Sequence, residues 1–170
     1  CAQKNVGPAG VTLVIIRDDM VAKSPADLPS LLNYKAFAEG KSLLNTPPTF
    51  AIYMVKLVSD WLLNKIGGLA KMAEINKQKA KLLYDVIDQS KGFYLPHAEP
   101  DCRSMMNVPF KLAKTELEES FLKEAAAQGL CELKGHRSVG GCRASIYNAM
   151  PIEGVQALRS FMLDFAKKNA

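Results

Sequence analysis

The sequence predicts an α/β fold, and three observations predict it. Residues 11–17 (VTLVIIR) are a short β-branched run behind the turn Gly7-Pro8-Ala9-Gly10, the pattern of a buried strand. Residues 50–64 and 69–90 carry apolar side chains at helical spacing. From about residue 69 onward, strand-like and helix-like segments alternate, which builds helices onto a sheet. The 170 residues are 48% hydrophobic and 23% charged, a globular balance that excludes a disordered or fibrous chain.

Each element has a local reason. The strand at 11–17 is followed by a loop over 18–40 with one short helical piece, because acidic residues and prolines there show no period. Asn45-Thr46-Pro47-Pro48-Thr49 is a loop stiffened by two fixed φ angles. Thr49 is placed to cap a helix over 50–64. Apolar residues on more than one side predict that this helix is widely buried. Gly67-Gly68 breaks the pattern. A helix over 69–90 follows, with Met72, Ile75, Ala80, Leu83, Val86 and Ile87 as its stripe. Strands are expected at 93–96 and 105–112. Thr115-x-x-Glu118 matches a capping box for a helix that Gly129 stops. Two more strands, 131–134 and 143–147, flank a glycine-rich loop. Pro151 opens the last helix. One strand and one long helix cannot close a core alone. Residues 1–68 therefore read as the end of a larger, incomplete domain, and 69–170 as a small α/β domain. The absence of an initiator methionine points to a truncated chain.

Charge and cysteine usage narrow the function classes. The balance of 22 basic and 17 acidic residues gives +5, but Lys71, Lys77, Lys79 and Lys81 lie on a helical pattern and read as a solvated face. No run of five like charges and no nucleic-acid motif occurs. The longest apolar run, 11–16, is too short to cross a bilayer. The start is polar, unlike a signal peptide. The four cysteines lack Cys-x-x-Cys spacing and only two histidines accompany them, so no metal site is expected and free thiols are.

Three segments could carry chemistry. Lys4 sits before a tight turn and a buried strand; a desolvated amine there would be a usable nucleophile, although a lone lysine near a chain start is far more often a solvated surface residue. Residues 135–143 place His136, Arg137 and Arg143 close together around Gly140-Gly141. A guanidinium mounted on a strand suits bidentate capture of a carboxylate, and His136 with Arg137 could meet a second anion such as a phosphate. The same loop also reads as a polar hairpin connection. Asn45 and Thr46 could hold a phosphate oxygen, or simply shape the turn and cap the helix. Neither a Walker A loop nor a dinucleotide glycine motif is present.

Taken together, Gln3-Lys4-Asn5-Val6-Gly7-Pro8-Ala9-Gly10, Asn45-Thr46-Pro47-Pro48-Thr49, Arg103-Ser104 with Met106-Asn107-Val108-Pro109-Phe110, and Lys134-Gly135-His136-Arg137-Ser138-Val139-Gly140-Gly141 with Arg143-Ala144-Ser145-Ile146-Tyr147-Asn148-Ala149 resemble the phosphoserine aminotransferases, a class-V aminotransferase family. The resemblance runs along the whole chain. It implies an aspartate-aminotransferase-like fold, pyridoxal 5'-phosphate as cofactor, and a cytoplasmic homodimer. The implied reaction moves an amino group from glutamate to 3-phosphohydroxypyruvate, giving phosphoserine in serine biosynthesis. A phosphorylated hydroxythreonine precursor of vitamin B6 is a further substrate of some members. Residue by residue, Lys4 matches the lysine that carries the cofactor and moves the proton. Gln3 matches a residue beside the cofactor phosphate. Asn45 and Thr46 match the pair that reaches the neighbouring subunit's cofactor phosphate. Arg143 matches the arginine for the substrate α-carboxylate, and His136 and Arg137 match the groups that receive the substrate phosphate. Cys1 departs from the glycine usual in the family. About half of the family's length, everything before Lys4, has no counterpart here, including the aspartate that pairs with the cofactor's ring nitrogen. The rival reading is a catalytically inert small domain or interaction module; binding of nucleic acid through the +5 charge is a more distant one.

Overall fold

The computed structural model describes residues 2–169, so the expectation for Cys1 lies outside the described residues. The chain divides into two compact units, Cys1–Trp61 and Leu62–Ala170.

The first unit holds α1 (Asp18–Ala22), α2 (Tyr34–Glu39) and α3 (Thr49–Trp61). The region 18–40 is thus more helical than its sequence suggests. The expected strand at 11–17 does not form. A strand exists through its neighbours, since alternate N–H and C=O groups must find partners. Among the described residues none pairs with this segment; the bond from Ala2 N to Val11 O, 2.7 Å, touches only its start. Leu13 and Ile15 are accordingly 63% and 102% exposed. The wide burial expected for α3 also fails: Ala51 alone is buried in that helix, and Phe50 is 74% exposed. A helix that is apolar on several sides needs a layer on each, and within this unit the close approach comes from the turn at 7–10. A Cβ on Gly7 would meet Val55 Cγ2 at 3.0 Å. Thr49 is the first helical residue rather than the cap, and its hydroxyl donates to Pro47 O at 3.3 Å.

The second unit opens with a π turn, Leu62–Ile66, closed by Gly68 N donating to Leu62 O at 2.8 Å. Gly67 and Gly68, at φ 92° and 95°, supply the left-handed backbone that ends it. Then come α4 (Leu69–Gln89), β1 (Tyr94–Pro96), β2 (Asn107–Leu112), α5 (Glu118–Ala127), β3 (Cys142–Ser145) and α6 (Ile152–Asn169). The three strands form an antiparallel sheet in sequence order. Strand alternation sends Val108, Phe110, Leu112, Cys142 and Ala144 into the core with α4 and α6. The opposite face carries Asn107, Pro109, Arg143 and Ser145. Two local expectations need correction. Thr115 makes no side-chain cap; residues 115–117 form a 3-10 turn and α5 starts at Glu118. Residues 131–134 do not form a strand. They meet the outer edge of β3 through one bridge, Lys134 to Cys142, and through Arg143 N donating to Leu133 O at 2.7 Å. Glu132 adopts φ 60°, which interrupts an extended run.

The core centres on edge-to-face and tilted ring pairs. Phe121 lies 5.8 Å from Phe110, 5.0 Å from Phe161 and 5.1 Å from Phe165. Tyr94 is buried but satisfied, its hydroxyl donating to Met162 O at 2.8 Å. Cys142 is buried, which pushes its thiol up to about 12 and makes it an inert packing residue. Among the described residues no helix is long and apolar enough to cross a membrane. Phe121→Ala should lower stability by about 3–5 kcal/mol, measured by urea unfolding of the chain. A loss below about 1 kcal/mol would show that this ring cluster is not the core's centre.

Candidate active site

Gln3 and Lys4 lie in a turn closed by a bridge between Gln3 and Gly7. Lys4 has φ 81°, a left-handed conformation that a lysine adopts only at a cost of about 1–3 kcal/mol and that clusters at functional sites. The expected desolvation is absent within this unit. Lys4 is exposed, because burial in the turn falls on Ala2. Asn45 and Thr46 are also exposed, on the stiff loop ahead of α3, and Asn45 Nδ2 donates to Thr46 O at 3.2 Å.

The other three predicted residues lie together in the second unit. Arg143 projects from β3 opposite Pro109 and is half-buried. Its Nε is buried with no hydrogen-bond partner among the described residues. A buried donor left unpaired is costly; Arg103 Nε is unpaired in the same way. Arg143 also borders a cavity of about 440 Å³ with Ser145, Ile146, Met150, Gly154 and Val155. His136 and Arg137 sit at the tip of the hairpin that leads into β3, and both are exposed. The hairpin is closed by Gly135 N donating to Gly141 O at 2.8 Å. Gly141, at φ 64°, packs so closely on β2 that a Cβ would sit 2.7 Å from Phe110 O.

Sequence reasoning missed the groups that fix the chain after Arg143. Lys79 belongs to the buried face of α4, not to a solvated one: it is fully buried, and its ammonium donates to Tyr147 O at 2.8 Å and Met150 O at 3.0 Å. Asn76 Nδ2 donates to Asn148 Oδ1 at 2.8 Å. From β2, Asn107 Oδ1 accepts from Ser145 Oγ at 3.2 Å and Tyr147 Oη at 3.1 Å. Asn107 is placed in turn by Ser104, whose Oγ accepts from the backbone N–H of Met106 and Asn107. Arg103 anchors that loop to α4. It holds Asp88 through two 2.7 Å bonds and lies 4.6 Å over the Tyr84 ring. The Asp88 carboxyl is kept below its ordinary range by the hydrogen bond from Arg103. A usable signal existed in the sequence: Met72, Asn76, Lys79 and Leu83 follow one another at spacings of four, three and four, on the core stripe.

With this geometry in view, comparison with known proteins is direct. Residues 1–158 match the family described as Aminotransferase class-V. The chain therefore belongs to the class-V aminotransferase family. Among individual proteins it is similar to phosphoserine aminotransferases. It is 57% identical to that of Acidithiobacillus ferrooxidans over 168 residues, which is 99% of this chain and 46% of the relative. It is 55% identical to that of Geobacillus kaustophilus, again over 99% of this chain and 47% of the relative. Among solved structures, phosphoserine aminotransferase from Bacillus circulans subsp. alkalophilus matches with TM-score 0.95 at 51% identity, covering 99% of this chain and 46% of that one. The enzyme from Trichomonas vaginalis, solved with pyridoxal phosphate bound, matches with TM-score 0.87 at 40% identity over 96% of this chain and 46% of that one. The chain thus spans about half the length of the curated relatives it matches.

Burial of Lys79 lowers its amine below the ordinary lysine value. Below the folded-state value both states are protonated and the burial cost is fully present; it is relieved as pH rises through that value toward the unfolded one. Lys79→Met removes that cost but leaves the carbonyls of Tyr147 and Met150 without their donor, and should destabilise the chain by about 1–3 kcal/mol near neutral pH. The gap between wild type and variant should widen as pH rises toward 10. Urea unfolding across that range checks both statements.

Proposed function

We propose that the protein carrying this sequence is a pyridoxal-phosphate-dependent phosphoserine aminotransferase. It would transfer the amino group of glutamate to 3-phosphohydroxypyruvate, with this chain forming the C-terminal half. The observation that carries the reading is the pairing of two cationic positions on one hairpin. A half-buried guanidinium with an unpaired buried Nε sits on β3, and the exposed His136 and Arg137 sit at the tip. A phosphorylated keto acid has two anionic ends, and this hairpin offers a separate receiver for each.

The residues fit an aldehyde-bearing, phosphorylated cofactor. Lys4 offers an exposed primary amine on left-handed backbone, the donor such an aldehyde needs. Gln3, Asn45 and Thr46 offer amide and hydroxyl groups suited to a phosphate, on exposed positions. In this reading Asn45 and Thr46 serve the partner subunit of a homodimer. When bound, the cofactor supplies the electron sink that lets a Cα–H bond break. Arg143 fixes the α-carboxylate by two parallel hydrogen bonds. His136 and Arg137 set the distance to the far end and so select the phosphorylated substrate. Lys4 Nζ takes the proton and returns it. In this account residues 1–68 are the end of a large cofactor-binding domain and residues 69–170 a small C-terminal α/β domain, a boundary close to that between the units Cys1–Trp61 and Leu62–Ala170. The protein acts in the cytoplasm on small molecules.

Two variants of the whole protein carrying this sequence test the reading. Lys4→Ala should abolish transamination of 3-phosphohydroxypyruvate; full turnover in that variant would remove the lysine from its role. Arg143→Lys should raise KM for glutamate by about 10- to 100-fold, the worth of a charge-assisted pair whose fork is lost. An unchanged KM would show that the carboxylate binds elsewhere. The inert-module reading predicts that neither wild type nor variants turn over.

A further inference from the structure

We propose that Ser138 is a positioning residue that fixes His136 as its Nε2–H tautomer, so that the ring presents one outward donor beside Arg137 to a phosphoryl oxygen of the substrate. The second half of this inference rests on the reading of His136 and Arg137 as the phosphate receivers; the first half stands on the loop alone.

The geometry is specific. Ser138 Oγ lies 2.7 Å from His136 Nδ1, and the backbone N–H of Ser138 donates to the same nitrogen at 3.3 Å. A hydroxyl can donate or accept, but a backbone N–H only donates. Nδ1 must therefore carry its lone pair, and a neutral imidazole with its lone pair on Nδ1 carries the proton on Nε2. In the opposite tautomer an Nδ1–H would face the Ser138 N–H, donor against donor. The loop's own hydrogen bonds fix its backbone, while the 3.3 Å bond from the Ser138 N–H only biases the ring and the 2.7 Å contact with the Ser138 hydroxyl completes the hold. Val139 N and Gly140 N both donate to His136 O, at 2.9 and 2.8 Å, and Gly135 N donates to Gly141 O at 2.8 Å. The hydroxyl then adds the shorter, second bond to Nδ1 and aligns the ring.

The consequence is one of charge placement. Arg137 brings a permanent positive charge, and His136 adds a directed Nε2–H donor next to it. A phosphoryl group has several acceptor oxygens and can use both, one by ion pairing and one by a hydrogen bond. The ring is exposed, so its Nε2 is open to an incoming ligand.

Long-range proton–nitrogen correlation spectra of the ¹⁵N-labelled chain read the tautomer directly, in alkaline buffer where a free imidazole is neutral. The chain has two histidines, and His136→Gln identifies which signals belong to the loop. The expected result is a protonated-type Nε2 and an unprotonated-type Nδ1 for His136. Ser138→Ala should move both nitrogens toward averaged values, and Ser138→Thr should restore the split. A protonated Nδ1 in the wild type, or an unchanged split in Ser138→Ala, overturns the role of Ser138. In the whole protein, Ser138→Ala should raise KM for the phosphorylated keto acid by about three- to tenfold, the range of one neutral hydrogen bond, with kcat retained. If the wild-type ring is the Nε2–H form but KM does not move, the phosphate half of the inference is overturned and the tautomer half survives. A rise in KM that Ser138→Thr reverses supports both.

Discussion

A guanidinium held half out of water, with one nitrogen buried and unpaired, is the constraint to which the rest of the second unit answers. Arg143 occupies the middle of a four-residue strand. Its neighbours Cys142 and Ala144 are locked into the core, so the backbone beneath it cannot turn to find the side chain another partner. The contrast with Arg103 is instructive. Arg103 also has a buried, unpaired Nε, but its two Nη groups hold both oxygens of Asp88 and its guanidinium lies over the Tyr84 ring, so its charge is spent on holding a loop. In the function proposed here, Arg143 keeps its charge for a ligand. The same residue type thus serves two purposes, set by whether a carboxylate lies within the fold.

Holding such a group still demands rigidity on both sides of it. Ahead of β3, Gly141 lies against β2 with no room for a Cβ. Behind it, the segment Tyr147 to Met150 is held from α4 by Lys79 and from β2 by Asn107. Burying an ammonium without a carboxylate is expensive. Hydrophobic side chains at that position would pack as well but could not hold two carbonyls at fixed places. Met150 borders the cavity beside Arg143, so the wall of that cavity is set by a lysine far from it in sequence. The buried polar groups of the core, Asn76 and Lys79, both act on this one segment.

Much of this was legible from sequence because it is written in local codes. The helices at 69–89 and 152–169 follow from period, the break at Gly67-Gly68 from backbone freedom, and the membership in a class-V aminotransferase family from motifs that are long and ordered. What the sequence could not show is whatever depends on neighbours. The segment 11–17 has every mark of a strand, yet among the described residues no strand pairs with it, and a ladder needs a second strand. α3 has the stripe of a buried helix, yet Phe50 is exposed, because burial belongs to a pair of surfaces. Lys79 was read by its charge when its spacing placed it on the core stripe. Among the site residues, Arg143 was legible as a strand-mounted fork. The roles of Asn107, Lys79 and Ser138 were not, since each acts through atoms distant in sequence or through a backbone N–H.

The claim at the centre is that Arg143 is a receiver left open by the fold for a carboxylate that comes from outside. The most direct measurement is a crystal structure of the whole protein carrying this sequence with an amino-acid substrate bound. The account predicts two parallel hydrogen bonds of about 2.7–2.9 Å from the Arg143 guanidinium to the α-carboxylate. A structure in which Arg143 is already paired with a protein carboxylate, while the substrate's carboxylate binds another cation, would contradict it.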